Sequence, residues 1–181
     1  MLKTACTYNG GVIDDQCAVR FGIALRSAFG EKTYAELPEI MRETNAVGRP
    51  RTCRELKGGK GGCDWHPPGE CHFINAYECS LAVSALSSAR RDGQSDFFRG
   101  IGGARRFRSA KEKMEFRSAL KDVNGIIYFH RYWRDQNKPD AGGSHIDLWR
   151  GERQRTKLEL FKGEREPRFE RVSEEVVFWP V

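Results

Sequence analysis

Long apolar runs are missing from this sequence of 181 residues. None approaches the roughly 20 consecutive apolar residues that a membrane-spanning helix requires. The N-terminal segment MLKTACTYNGGVIDD also lacks the apolar centre of a signal peptide. We therefore expect no membrane span and a protein that is made in the cytoplasm. Any action outside the cell would then need an export route without a cleaved signal.

The cysteines lack the short spacing that is typical of structural zinc sites. Of the six cysteines, four fall in a Gly- and Pro-rich stretch that also holds His66 and His72; they are Cys53, Cys63, Cys71 and Cys79. Nine residues separate the first pair and seven separate each later pair, whereas zinc sites normally use CxxC pairs. We predict no metal ion and favour two disulfides, formed in an oxidising compartment. Reduced thiols and a zinc site are the alternatives.

Positive charge is in moderate excess and is concentrated in one segment. The sequence has 31 Lys and Arg against 25 Asp and Glu, which gives a net charge of +6 and a pI of about 9.1. Nucleic acid, a membrane surface or a polyanionic cell wall would suit this balance. Much of the excess lies in residues 90–113, where we favour a solvated basic face over a nucleic-acid site.

The composition is that of a globular protein without a nucleotide-binding signature. Aromatic residues make up 11% of the chain, although 31% is charged and the mean hydropathy is -0.65. The GIGG sequence at 100–103 has no following Lys-Ser/Thr pair, so we predict no phosphate loop and no cofactor. A chain of this length buries a core without metal support. We expect one domain over residues 1–181, with a Cys- and Gly-rich insertion at about 53–79.

One cysteine begins an amphipathic helix, in the stretch DDQCAVRFGIALRSAF at 14–29. Asp14 and Asp15 can cap the helix, and apolar residues then recur with helical spacing at Ala18, Phe21, Ala24, Leu25 and Ala28. Cys17 falls in the first turn, where backbone N–H groups and the helix dipole stabilise a thiolate. The position suits a nucleophile. The alternative is a small, buried apolar residue.

A histidine follows far downstream in GGSHIDLWRG, at 142–151. The alternation predicts a strand that carries His145, Asp147 and Trp149 on one face. A cysteine on an early helix and a histidine on a late strand have the chain order of papain-like cysteine hydrolases.

The remaining pattern predicts helices first and strands after them. Helices are expected at 36–43, 74–91 and 109–120, and loop-like segments at 56–70 and 92–108. Further strands are expected at 125–133, 156–161 and 175–181, with a turn at 137–143. This order indicates an α+β fold rather than a doubly wound sheet.

The two motifs and the strand GIIYFHRYW together resemble the family 4 amidase effectors of the bacterial type VI secretion system. Members pair an N-terminal CA-[IVL]-R helix with a late GGHIDLW strand; here Ser144 is an addition before the histidine. The resemblance implies a papain-like, NlpC/P60-type fold in which the cysteine helix packs on an antiparallel sheet. It also implies cleavage of peptidoglycan stem peptides between D-glutamate and meso-diaminopimelate, delivery into a rival's periplasm, and a cognate immunity protein.

The same resemblance assigns the chemistry to a few residues. Cys17 would attack the amide carbonyl while His145 accepts and returns the proton. In such families the orienting residue commonly lies on the strand after the histidine, and where an acid is expected, roughly a turn of sequence further on, this chain has Thr156 and Lys157. Asp147 is therefore our first choice for the group that orients the imidazole, and Glu159 on the next predicted strand is the second.

Three further side chains have weaker assignments. The Cys17 backbone N–H and the neighbouring Gln16 are candidates for the oxyanion hole. Trp149 is a candidate for the cleft wall, although an aromatic core residue is the favoured interpretation. His130, in the middle of a strand, is interpreted as a core or edge histidine rather than a base.

Two other functions remain open from the residues. One is a cysteine hydrolase of another peptide or isopeptide substrate. The other is a basic module that binds nucleic acid or an anionic surface. Its binding would weaken with salt and would not change when Cys17 is mutated.

Overall fold

Nine segments of the chain are described by the computed structural model: residues 7–8, 11–12, 17–18, 21–22, 51–52, 71–72, 76–88, 101–135 and 138–181. The chain divides into two compact units, Met1–Ala82 and Val83–Val181. The single domain expected from the sequence stays a prediction. In the described segments, no helix is long and apolar enough to span a bilayer.

The first unit contains two short antiparallel pairs and helical residues. Strand β1 (Thr7–Tyr8) pairs with β2 (Gly11–Val12), and β3 (Arg51–Thr52) pairs with β4 (Cys71–His72). Residues 17–18 and 21–22 are helical, as predicted. Helix α1 (Ala76–Ser88) confirms the helix expected at 74–91, and the boundary between the units falls within it.

The apolar face predicted for the cysteine helix is buried where the structure describes it. Ala18 and Phe21 are 1% and 5% exposed. The Cys79 thiol on α1 donates a hydrogen bond to the Ala18 carbonyl oxygen at 3.7 Å. The two disulfides favoured for the cysteine cluster, and the reduced thiols given as an alternative, both stay predictions. Cys53 and Cys63 of the same cluster lie outside the described residues, as do the segments 36–43 and 56–70.

The second unit is built on a five-stranded antiparallel sheet with the order β5-β9-β6-β7-β8. Its strands are β5 (Arg105–Phe107), β6 (Gly125–Asp135), β7 (Lys138–Arg150), β8 (Arg155–Thr156) and β9 (Glu175–Pro180). Its helices are α2 (Ala110–Ala119), α3 (Lys157–Lys162) and α4 (Arg168–Arg171). The α+β class and the central position of β6 are confirmed, and so are the helix expected at 109–120 and the strand expected at 175–181.

An aromatic core fills one face of this sheet. Alternate residues of β6, β7 and β9 meet residues of α2 and α4 there; the buried members are Phe116, Leu120, Ile127, Phe129, Trp149, Phe169, Val176 and Phe178. Strands place every second side chain on the same face, so the alternation predicted for β7 carries its odd-numbered residues into this layer.

The segment 156–161 was expected to be a strand, and that prediction is wrong. Only Thr156 continues as strand; α3 spans Lys157–Lys162 and is capped by Gly163, whose φ of 78° is the left-handed conformation that glycine tolerates. The Thr156 hydroxyl accepts from the Glu159 backbone N–H, and the Glu159 carboxylate accepts from the Thr156 N–H. This capping box stabilises a helix start, and it overrides the two-residue alternation of TKLELF.

Two other boundaries differ from the sequence prediction. Residues 105–107, expected in a loop, form the edge strand β5, where exposed arginines suit an edge and Phe107 packs on the core. Residues 138–143, expected in a turn, belong to β7, since Asp135 pairs with Lys138. The hairpin is therefore tighter than its Gly and Pro content suggested.

Removal of the cap on α2 should destabilise the second unit. The Ser109 hydroxyl accepts from the Glu112 N–H at 3.2 Å, on the exposed surface. We expect Ser109→Ala to lower the free energy of unfolding by about 1 kcal/mol, because one N–H of the first turn loses its acceptor. Urea denaturation followed by circular dichroism measures this. Ser109→Thr, which keeps the acceptor, is the control, and equal losses in both variants would contradict the capping role.

Candidate active site

His145 lies beside an irregularity in the β6–β7 hairpin. Phe129 pairs with His145 and Trp133 pairs with Gly143, so residues 130–132 of β6 oppose Ser144 alone. Arg131 adopts a φ of 47°, and its backbone N–H donates to the Ser144 hydroxyl at 3.1 Å. Bulges of this kind bend a strand and redirect side chains, and they are common beside active sites.

Aromatic rings hold the His145 imidazole in place. The Phe169 ring lies 5.6 Å from it at an interplanar angle of 15°, and the Tyr132 ring meets it edge-on at 5.8 Å. Phe169 stacks in turn on Phe129, with 3.8 Å between ring centroids. His145 is only 6% exposed. Its ring orientation is therefore set by packing rather than by solvent.

Asp147 is the carboxylate beside this imidazole. Its Oδ2 lies 3.5 Å from His145 Nε2, and Nε2 is a buried nitrogen that makes no hydrogen bond within the described residues. The backbone N–H groups of Leu148 and Leu158 donate to the two carboxylate oxygens at 2.8 and 2.7 Å. Because Nε2 faces Asp147, Nδ1 is the ring nitrogen that remains for proton transfer.

The second choice of orienting group, Glu159, has a different role. Its side chain is 0% exposed, and Arg117 donates to its two oxygens, at 2.6 Å from Nη2 and 3.0 Å from Nη1. Backbone N–H groups of Thr156 and Glu166 donate to the same oxygens. The carboxylate is fully engaged in structural contacts, so Asp147 is the better candidate.

Trp149 lies in the core rather than along a cleft of this unit. It is 1% exposed, and its indole Nε1 donates to the Leu120 carbonyl oxygen at 3.1 Å. Trp149 shares the face of β7 that carries His145, as predicted, but its ring packs against Phe116 and supports the sheet. The favoured interpretation of Trp149 as a core aromatic thus agrees with the structure.

His130 has its own partners, as expected for an edge histidine. Its Nδ1 lies 2.9 Å from the Tyr128 hydroxyl, and its Nε2 lies 3.8 Å from a Glu174 carboxylate oxygen. The imidazole is about one-third exposed (31%). None of these contacts involves His145.

Cys17 is half-buried and helical, and it belongs to the first compact unit, whereas His145 belongs to the second. Gln16 lies outside the described residues. The pairing of Cys17 with His145 and the contribution of Gln16 stay predictions.

Sequence reasoning missed the groups that support the histidine. Arg117 joins Glu159 to Glu170, and Phe169 supplies the stacked ring. Burial lowers the pKa of Arg117, but its hydrogen bonds with Glu159 and Glu170 outweigh that effect and raise it, so the guanidinium stays charged. The Thr-x-x-Glu capping box could have predicted the start of α3 from the sequence. No local sequence pattern predicts the two ion pairs of Arg117.

A family model now connects this geometry to known proteins. It describes type VI secretion system amidase effector protein 4, and it matches residues 88–179, slightly more than half of the chain. The chain belongs to this family. The matched segment contains His145, Asp147 and both side chains that Arg117 pairs with. An α+β unit with an antiparallel sheet is consistent with the NlpC/P60-like fold that the sequence motifs implied. No curated protein matches the chain.

Removal of Glu159 from the effector should leave a buried charge without its main partner. We expect Glu159→Ala to lower the free energy of unfolding by about 3–5 kcal/mol, since the Arg117 guanidinium stays buried beside a cavity. Urea denaturation at neutral pH measures the loss. Glu175, which pairs with the more exposed Arg106 and Arg108, is the matched control. Glu175→Ala should cost no more than about 1 kcal/mol, and similar losses in both variants would contradict the assignment.

Proposed function

We propose that this amidase effector is a cysteine amidase whose catalytic groups are Cys17, His145 and Asp147. The observation that supports it most is the pair of His145 and Asp147, in which a buried Nε2 faces a carboxylate held by two backbone N–H groups. An orienting carboxylate fixes the tautomer of a catalytic histidine and stabilises the imidazolium that forms. The stacked Phe169 ring holds the imidazole nearly parallel to itself, at an interplanar angle of 15°.

The reaction proceeds in two halves. Nδ1 of His145 takes the thiol proton, and the Cys17 sulfur attacks the amide carbonyl carbon to form a C–S bond. The C–N bond then breaks as the leaving amine takes the proton from the imidazolium. A water molecule gives a proton to His145 and attacks the thioester, and the C–S bond breaks to release a carboxylate and the thiol.

The oxyanion formed in each half needs hydrogen-bond donors. The Cys17 backbone N–H, in a helix start, and the Gln16 side chain are proposed for this role. Helical residues at 17–18 support the first of these assignments.

The proposed substrate is the stem peptide of peptidoglycan, cut between D-glutamate and meso-diaminopimelate. The family and the motifs CAVR and GGSHIDLW support this choice, and the net charge of +6 suits a polyanionic cell wall. The reaction needs no cofactor. Type VI delivery to the periplasm of a target cell and a cognate immunity protein complete the proposal.

Digestion of diaminopimelate-type peptidoglycan tests the nucleophile and the bond together. Wild type should release fragments that end at D-glutamate, identified by mass spectrometry. Cys17→Ala should lower the rate at least about a thousandfold, because the thioester cannot form. Cys6→Ala, which removes another cysteine of the N-terminal region, should keep wild-type activity.

Three outcomes would contradict parts of this proposal. Equal digestion by Cys17→Ala would exclude Cys17 as the nucleophile. Cleavage of another bond would exclude the D-glutamate linkage and favour a different peptide substrate. The basic binding module would be favoured if wild type digested no peptidoglycan and bound polyanions in a salt-dependent way, with the same affinity in Cys17→Ala.

A further inference from the structure

Arg117 on α2 connects three elements that follow the histidine strand. Its Nη1 and Nη2 donate to Glu159 on α3, its Nε donates to Glu170 on α4, and its Nη1 also donates to the Gln154 carbonyl oxygen at 2.8 Å. The side chain is 6% exposed. A guanidinium presents its donors in a rigid plane, so these contacts fix the relative positions of their acceptors.

Each carboxylate that Arg117 binds is adjacent in sequence to a group that holds the catalytic pair. Glu159 follows Leu158, whose backbone N–H donates to Asp147 Oδ2 at 2.7 Å. Glu170 follows Phe169, whose ring stacks on His145. Both partners of Arg117 are therefore next in sequence to a residue that supports the His145–Asp147 pair.

The two helices depend on such contacts for their positions. α3 has six residues and α4 has four, and helices of that length are not stable on their own. A small displacement of either helix would move Asp147 relative to Nε2 or tilt the imidazole. Misplacement by about 1 Å can lower a catalytic rate about a hundredfold.

We propose that Arg117 is a positioning residue that holds His145 and Asp147 in catalytic register through α3 and α4. This inference rests on the proposed function. Within the described part of the chain, the hydrogen bonds of Arg117 go to Gln154, Glu159 and Glu170 and not to His145 or Asp147, so it acts through Leu158 and Phe169. Charge alone is not sufficient for this role, because three acceptors on separate elements must be bound in one plane.

Steady-state kinetics on a peptidoglycan stem peptide test the proposal with Arg117→Lys. We expect kcat to fall about ten- to a hundredfold while KM changes less than about twofold, since substrate binding is not altered. In an Asp147→Asn background the same substitution should lower kcat by a smaller factor than in wild type, because the part of its effect that passes through that carboxylate is already lost. Arg106→Lys, at an exposed ion pair, should change neither parameter.

Glu170→Gln provides a second variant if lysine is not tolerated at a buried site. It keeps the ion pair between Arg117 and Glu159 and weakens the contact with α4. We expect a fall in kcat of about threefold to tenfold, again with KM unchanged, because the Phe169 ring is less firmly held. All rates are compared at temperatures well below the unfolding transition of each variant.

A spectroscopic measurement separates this inference from the proposed activity. ¹⁵N NMR of labelled histidine should show the Nε2–H tautomer of His145 in wild type, directed toward Asp147. Arg117→Lys, or Glu170→Gln, should increase the other tautomer at His145 and leave His130 unchanged. An unchanged His145 signal with unchanged kcat would overturn the positioning role, even if the enzyme is an active amidase. A changed His145 signal in a protein without amidase activity would support the positioning role and contradict the proposed function.

Discussion

The second unit depends on a buried guanidinium placed between two carboxylates. Burying a charge is costly unless it is paired and its hydrogen bonds are satisfied. Arg117 meets that requirement with Glu159, Glu170 and a backbone carbonyl oxygen, and its guanidinium carbon also lies 5.1 Å from the centroid of the Phe116 ring. Short helices α3 and α4 are positioned by these contacts, and the environment of His145 follows from them.

The aromatic core contributes the second constraint on the histidine. Phe129, Phe169 and Tyr132 surround the imidazole, and the bulge opposite Ser144 interrupts the β6–β7 ladder next to it. A ring packed in this way loses little rotational entropy when a reaction begins, since its orientation is already fixed. The Asp147 carboxylate adds a negative charge beside the ring, with Oδ2 3.5 Å from Nε2. The packed rings and the neighbouring carboxylate therefore favour one orientation of the His145 imidazole.

Local patterns in the sequence predicted much of this unit. The alternation in GGSHIDLWRG placed His145, Asp147 and Trp149 on one face, and the β-branched and aromatic run at 125–133 predicted the central strand. The error at 156–161 arose because a short alternation was preferred to the capping box of Thr156 and Glu159. Both patterns are local, and the capping box could be recognised in the sequence as easily as the alternation.

Other features could not be predicted from local patterns. Arg117 and Glu159 are 42 residues apart, and Arg117 and Glu170 are 53 apart, so nothing in the neighbourhood of either residue signals the ion pairs. The stacking of Phe169 on His145 also joins distant segments. The candidate base and its carboxylate were thus predictable from sequence, whereas the contacts that orient them depend on tertiary structure.

In the proposed mechanism the His145 imidazole activates the Cys17 thiol, so the reactivity of that thiol should depend on His145. The measurement is the rate of iodoacetamide modification of Cys17 at about pH 6, where an ordinary cysteine is almost entirely protonated. Peptide mass spectrometry distinguishes Cys17 from the other cysteines. We expect rapid modification in wild type, at least about a tenfold loss of rate in His145→Ala, and no loss in His130→Ala. Equal rates in wild type and His145→Ala would contradict the proposed mechanism.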